Sequence, residues 1–187
     1  MSDLAAAPEV FRRAVVSLSA VQPRPEVRFD PVPAPGRLAP WTYAWGLELP
    51  SDAPAAAIGR LVLLHEPDGQ DAWGGGTMRL VGFVRADLDV EFAGDPLLPA
   101  VGWSWLTDAL RCHGAEHTAL GGTVTQTSSA RFGDITGPER TDEVELRASW
   151  TPLGEDLRAH SEAFCELIAT VAGLPPVGVV ALGKHRD

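Results

Sequence analysis

Hydrophobic positions in this chain switch between a three-to-four-residue period, the mark of an amphipathic helix, and a two-residue period, the mark of a half-buried strand. From Pro8 to Ala20, Phe11, Ala14, Val15 and Leu18 fall on one helical face and Arg12 and Ser19 on the other, with proline pre-set for a first helical position. Trp41 to Leu49 alternates, bringing Trp41, Tyr43, Trp45, Leu47 and Leu49 onto one strand face. Ile58 to Glu66 is apolar on both faces through Leu61, Val62, Leu63 and Leu64, as expected of a central strand. Thr77 to Glu91 turns Met78, Leu80, Val84, Leu88 and Val90 inward and Arg79, Arg85, Asp87 and Asp89 outward. Turn-rich connections make these strands an antiparallel meander.

A helix from about Asp95 to His113, stopped by Gly114, carries Trp103 and Trp105. Residues two apart on a helix diverge by about 200°, so one indole belongs to the core and the other to a margin. The projection puts Leu98, Val101, Trp105, Leu106, Ala109 and Cys112 inside and Trp103 at the flank beside Leu110. Gly122 to Phe132 and Glu143 to Thr151 alternate as strands, the second with Val144, Leu146, Ala148 and Trp150 inward. The last helix, about Asp156 to Ala172, buries Leu157, Phe164, Leu167, Ile168 and Val171, and Gly173-Leu-Pro-Pro176 terminates it.

The resulting order, α-βββ-α-ββ-α, defines a single α+β domain over residues 1–187: a five-stranded antiparallel sheet with helices packed on one face. Residues 22–40 are expected to be a proline-rich connector, with a short extended piece around Val27 and Phe29. Residues 177–187 form a tail in which Val179, Val180 and Leu182 offer one weak anchor. The element order alone resembles the type III secretion chaperone-like fold, many members of which dimerise and bind peptide segments; that is analogy of fold and carries no function.

Composition narrows the partners. A formal charge of −10, with the basic residues scattered, leaves no basic face for phosphate, so neither nucleic acid nor an anionic membrane is expected as a partner. No apolar run reaches the ~20 residues of a membrane-spanning helix. The first residues lack the basic and apolar regions of an export signal, which makes cytoplasm the expected location. Two cysteines, Cys112 and Cys165, suit a reducing compartment as small apolar fillers.

Chemistry-bearing clusters are few. Cys112-His113-Gly-Ala-Glu116-His117 is the nearest approach to a metal set, but Gly114 breaks the helix between the histidines, so no metal is expected there and a helix-end histidine is the plainer reading. Glu66, Asp68 and Asp71 lack the ordered register of a calcium loop. Gly74-Gly-Gly-Thr77 precedes a strand and has no lysine or helix to cradle phosphate. His65 and His160 stand outside any motif, as structural histidines do. The hydroxylated face of Thr123, Thr125, Thr127 and Ser129 suits either a solvated sheet or, with His65 or His113, the wall of a polar pocket. Trp103 and Trp73, with Leu110 beside the former, are the candidate partner contacts, because aromatics outside a core are enriched at interfaces.

Several blocks of text resemble an uncharacterised actinobacterial family, domain of unknown function 3000. They are Arg37-Leu-Ala-Pro40, Gly59-Arg-Leu-Val-Leu-Leu-His65, Asp95-Pro-Leu-Leu-Pro99, Trp103-Ser-Trp-Leu106, Gly122-Thr-Val-Thr125, Glu145-Leu-Arg-Ala-Ser-Trp-Thr-Pro152 and Ala172-Gly-Leu-Pro-Pro176. The resemblance implies no reaction, cofactor or catalytic residue. The expectation is therefore a non-enzymatic, cytoplasmic protein-interaction module that self-associates as a homodimer and binds an unknown protein partner. The alternatives are a small-molecule binder or enzyme with the Thr-lined pocket, and a metal protein using Cys112, His113 and His117.

Overall fold

A computed structural model describes residues 4–36, 38–49, 56–89 and 91–177. The helices are α1 (Glu9–Ser19), α2 (Leu98–Cys112) and α3 (Arg158–Val171), and the strands are β1 (Arg28–Val32), β2 (Trp41–Glu48), β3 (Ala57–His65), β4 (Met78–Asp87), β5 (His117–Ala130) and β6 (Arg140–Pro152). All strand pairs are antiparallel, in the order β1-β2-β3-β4-β6-β5. The meander β2–β3–β4 forms as the alternation predicts. The chain then crosses through α2 to the far edge, and a hairpin returns β6 between β4 and β5. Among the described residues no helix is long and apolar enough to cross a membrane.

The sheet has six strands, not five. The additional one is β1, inside the proline-rich connector, where Phe29 pairs with Leu47 and Pro31 with Trp45. Proline supplies no backbone donor, so it sits without loss on an edge strand, and its presence masks the strand in sequence. The remainder of the connector is also used. Val32, Ala34 and Ala39 pack on Ala44, Val62, Leu64 and Trp73, covering the first half of the sheet face that carries no helix.

The opposite face is the main core. Trp45, Leu47, Leu61, Leu63, Leu80, Val84, Leu146 and Trp150 meet Phe11, Leu18, Leu106, Phe164, Leu167 and Ile168 from the three helices. Helix α3 lies centrally, flanked by the other two, and is buried around most of its circumference. Its close approach depends on Gly82 of β4, where a Cβ would fall 2.6 Å from Cε2 of Phe164. Hydrogen bonds tie the layers together: Trp45 Nε1 donates to Ser19 Oγ at 3.2 Å, and the Leu157 amide at the start of α3 donates to Ser17 Oγ at 2.9 Å.

Several boundaries and faces differ from the pattern reading. β5 begins at His117, five residues ahead of Gly122, because Thr118 and Gly121 bracket an irregularity in the β5–β6 register that breaks the alternation. Along α2 the buried positions are Leu98, Gly102, Leu106, Ala109 and Leu110, while Val101 and Cys112 are exposed and both tryptophans are half-buried. The packed face is rotated because Gly102, not a large side chain, meets Val124 of β5. Arg79, expected to face water, is buried beneath the turn that carries Trp73. Val90, Val179, Val180 and Leu182 lie outside the described residues.

Candidate functional site

The sequence-nominated residues do not gather into one site. Leu110 is buried in the main core, and Trp73 folds back over the sheet, its carbonyl accepting from Thr151 Oγ1 at 2.7 Å. Neither presents a surface to a partner. The turn at Asp71–Trp73 was legible only as a loop, with nothing to show that its indole returns to the sheet. Trp103 is half-buried against the core and lies over Gly122.

Nor do His65 and the threonines converge. His65 ends β3 on the core side, stacked on Phe11 with ring centroids 5.9 Å apart and Nδ1 2.9 Å from the Thr77 carbonyl. Thr123, Thr125 and Thr127 are exposed on the helix-free face of β5, opposite Arg147, Glu145 and Glu143 of β6. Strands β4 and β6 separate them from β3, so the Thr-rich strand presents a solvated sheet surface.

Cys112 is exposed, His117 turns Nδ1 to the Ala115 carbonyl at 2.8 Å, and His113 Nδ1 lies 3.8 Å from Glu162 Oε2. Among the described residues no group of three or more His, Cys, Asp or Glu side chains is placed to hold a metal ion. His113 does share a cleft of about 390 Å³ with Cys165, Glu162 and Glu166. Burial, reinforced by the two glutamates, pushes the Cys165 thiol up to about 12. A thiol so held stays protonated at neutral pH, the opposite of what a nucleophile requires.

The better site lies where α2 begins and α3 ends. A cleft of about 490 Å³ is walled by Leu88, Phe92, Leu98, Val101, Trp105 and Val171. Asp87, Asp89 and Asp95 stand around it, and among the described residues no basic side chain lines it. The size is within the range of pockets that bury a ligand or an anchoring side chain. Two large apolar residues of the lining stand in the open, Phe92 at 53% exposure and Val101 at 42%, and Leu97 at the start of α2 is 66% exposed. Local geometry fixes the rim, since Asp95 Oδ1 accepts the Leu97 amide at 2.8 Å and so holds the entry to α2.

Periodicity gives Asp87-Leu-Asp-Val-Glu91 to a strand and hides this site. The paired strand stops at Asp87, and the alternation of acids with apolar residues beyond it was the available signal. Trp105, given to the core by the helical projection, is the tryptophan that borders the cleft.

The fold and the cleft together define an α+β domain, an open antiparallel sheet layered with three helices, that presents an apolar acidic groove. The chain belongs to the family described as protein of unknown function (DUF3000), whose model matches residues 7–180. No curated protein and no solved structure gives a significant match, so the likeness to the type III secretion chaperone-like fold has no support.

Proposed function

We propose that this protein is a non-enzymatic, cytoplasmic interaction module that captures an apolar segment bearing lysine or arginine in the cleft beside Trp105. One observation carries the reading: exposed Phe92 and Val101 line the cleft together with Asp87, Asp89 and Asp95, and among the described residues no basic side chain joins them. Contiguous exposed apolar surface marks an interaction site, and the unopposed carboxylates select the sign of what binds. Free Cys112 and Cys165 suit a reducing compartment.

The test is fluorescence anisotropy of two labelled amphipathic peptides, one of leucine and lysine, the other of leucine and glutamate. The Leu/Lys peptide is expected to bind in a salt-sensitive manner. Trp105→Ala, or Asp87→Asn with Asp89→Asn, should weaken it at least about tenfold, a loss of about 1.4 kcal/mol. Asp68→Asn with Asp71→Asn, remote from the cleft, should leave it unchanged. Equal binding of both peptides, or equal losses in the remote and cleft variants, would overturn the reading.

A further inference from the structure

The two edges of the sheet are built differently. β1 is short and carries Arg28, Asp30 and Pro31, features that discourage pairing with another strand. β5 runs from His117 to Ala130 and holds no proline and no charged side chain from Thr118 to Ala130, in a chain of formal charge −10. The irregularity between Thr118 and Gly121 blunts only its first part, and the stretch from Gly122 to Ala130 is regular.

Backbone parity identifies what the edge offers. Ala130 pairs with Arg140, and the next amide, Arg131, donates to the Glu139 carbonyl at 2.8 Å. Opposed residues in an antiparallel pair alternate between bonded and unbonded, so Thr123, Thr125, Thr127 and Ser129 spend their backbone groups on β6. Gly122, Val124, Gln126, Ser128 and Ala130 therefore turn their N–H and C=O groups to the free edge.

We propose that β5 pairs antiparallel with β5 of a second copy of this chain, about a twofold axis at Gln126, making one continuous sheet across a homodimer. This register uses every outward group, with Gly122 opposite Ala130 and Val124 opposite Ser128. It also accounts for apolar side chains that the monomer leaves in water. Phe132 and Ile135, 82% and 65% exposed in the hairpin loop beyond the end of β5, lie at the end of the strand that approaches the Leu120 end of the second copy. At that end a shallow cleft of about 580 Å³ is lined by Arg111, Ala115, Glu116, His117 and Leu153. Strand pairing alone buries little apolar surface, and the exposed side chains of the two hairpin ends are what the pairing can add to it. The charge-free strip is also where two acidic copies approach without facing like charges. The proposal is independent of the acidic cleft.

Sedimentation velocity across the micromolar range tests it. The wild-type chain should run as a dimer. Gln126→Pro removes one outward donor without touching the β5–β6 ladder and should weaken the dimer roughly tenfold or more. Thr125→Lys with Thr127→Lys should do the same while preserving the fold by circular dichroism. Within one chain the new ammonium groups sit opposite Glu145 and Glu143, and across the axis they face each other. A wild-type chain that stays monomeric, or a dimer that survives in the folded double-lysine variant, overturns the proposal.

Discussion

Trp103 lies so close to Gly122 that a Cβ on that glycine would stand 2.8 Å from Cζ3 of the indole and 2.2 Å from the Arg147 carbonyl oxygen. The tryptophan packs α2 against β5. Gly122→Ala is expected to destabilise the fold by about 3 kcal/mol or more, at the upper end of overpacking costs, because the nearer obstacle is backbone and cannot rotate away. Urea unfolding measures it. Adding Trp103→Ala should not restore the loss, since the conflict with the Arg147 carbonyl remains. A full rescue would show that the indole alone sets the constraint.

Trp150 Nε1 donates to Nδ1 of His160 at 3.1 Å, deep between β6 and α3. That bond requires an unprotonated Nδ1, and burial, aided by nearby His117, pushes the His160 pKa from 6.5 down to about 4. The unfolded chain then binds the proton first as pH falls. Stability is full above about pH 6.5, declines towards pH 4 and levels off below it, with a loss of up to ~3 kcal/mol from this group. Urea midpoints measured across that window should fall in the wild-type protein. They should flatten in His160→Gln, whose amide oxygen can still accept from the indole. An unchanged slope in the variant would assign the pH dependence elsewhere.

Among the described residues, sequence periodicity locates the three α-helices and five of the six strands, because most of these elements bury one face and alternate accordingly. It failed where burial comes from an unexpected neighbour. β1 is legible only as a short extended piece around Val27 and Phe29, because Pro31 argues against a paired strand, and Thr42 and Ala44 are buried on the face that alternation gives to water, where the connector packs on Ala44. The candidate site was barely legible. Trp105 and Trp103 were assigned opposite roles from a helical wheel, which cannot register that Gly102 lets α2 approach β5 and turns the helix. The cleft joins residues around Asp87, Trp105 and Val171, and only tertiary packing brings those segments together.

The two thiols should behave unlike each other. Cys112 is exposed near the end of α2, whereas Cys165 is buried with its pKa raised to about 12. At pH 8 an aromatic disulfide reagent is expected to modify Cys112 readily in the folded protein and to reach Cys165 only on unfolding. Absorbance of the released thiolate with and without denaturant counts both. Rapid modification of Cys165 in native Cys112→Ser protein would mean that the α3 core opens locally.

Arg79 is the most consequential polar residue of the fold. Its guanidinium is buried and donates to the Ala119 carbonyl at 2.9 Å, Thr151 Oγ1 at 3.1 Å, the Ser149 carbonyl at 3.2 Å and Ser149 Oγ at 2.8 Å. It thereby closes the irregular stretch of β5 at Ala119, which holds a φ of 50° that non-glycine residues seldom adopt. Desolvation lowers its pKa, yet the group keeps its charge because arginine titrates so far above neutrality. Lysine cannot reproduce the planar fork and carries a charge that is harder to desolvate. Arg79→Lys is therefore expected to cost ~1–3 kcal/mol in chemical denaturation, as much as Arg79→Met, because either change leaves the buried Thr151 hydroxyl and the part-buried Ser149 acceptors without their donor. Amide exchange should rise first around Ala119 to Gly121 in both variants. If lysine proved neutral, positive charge alone would be holding the bulge, and the directed hydrogen bonds would not be.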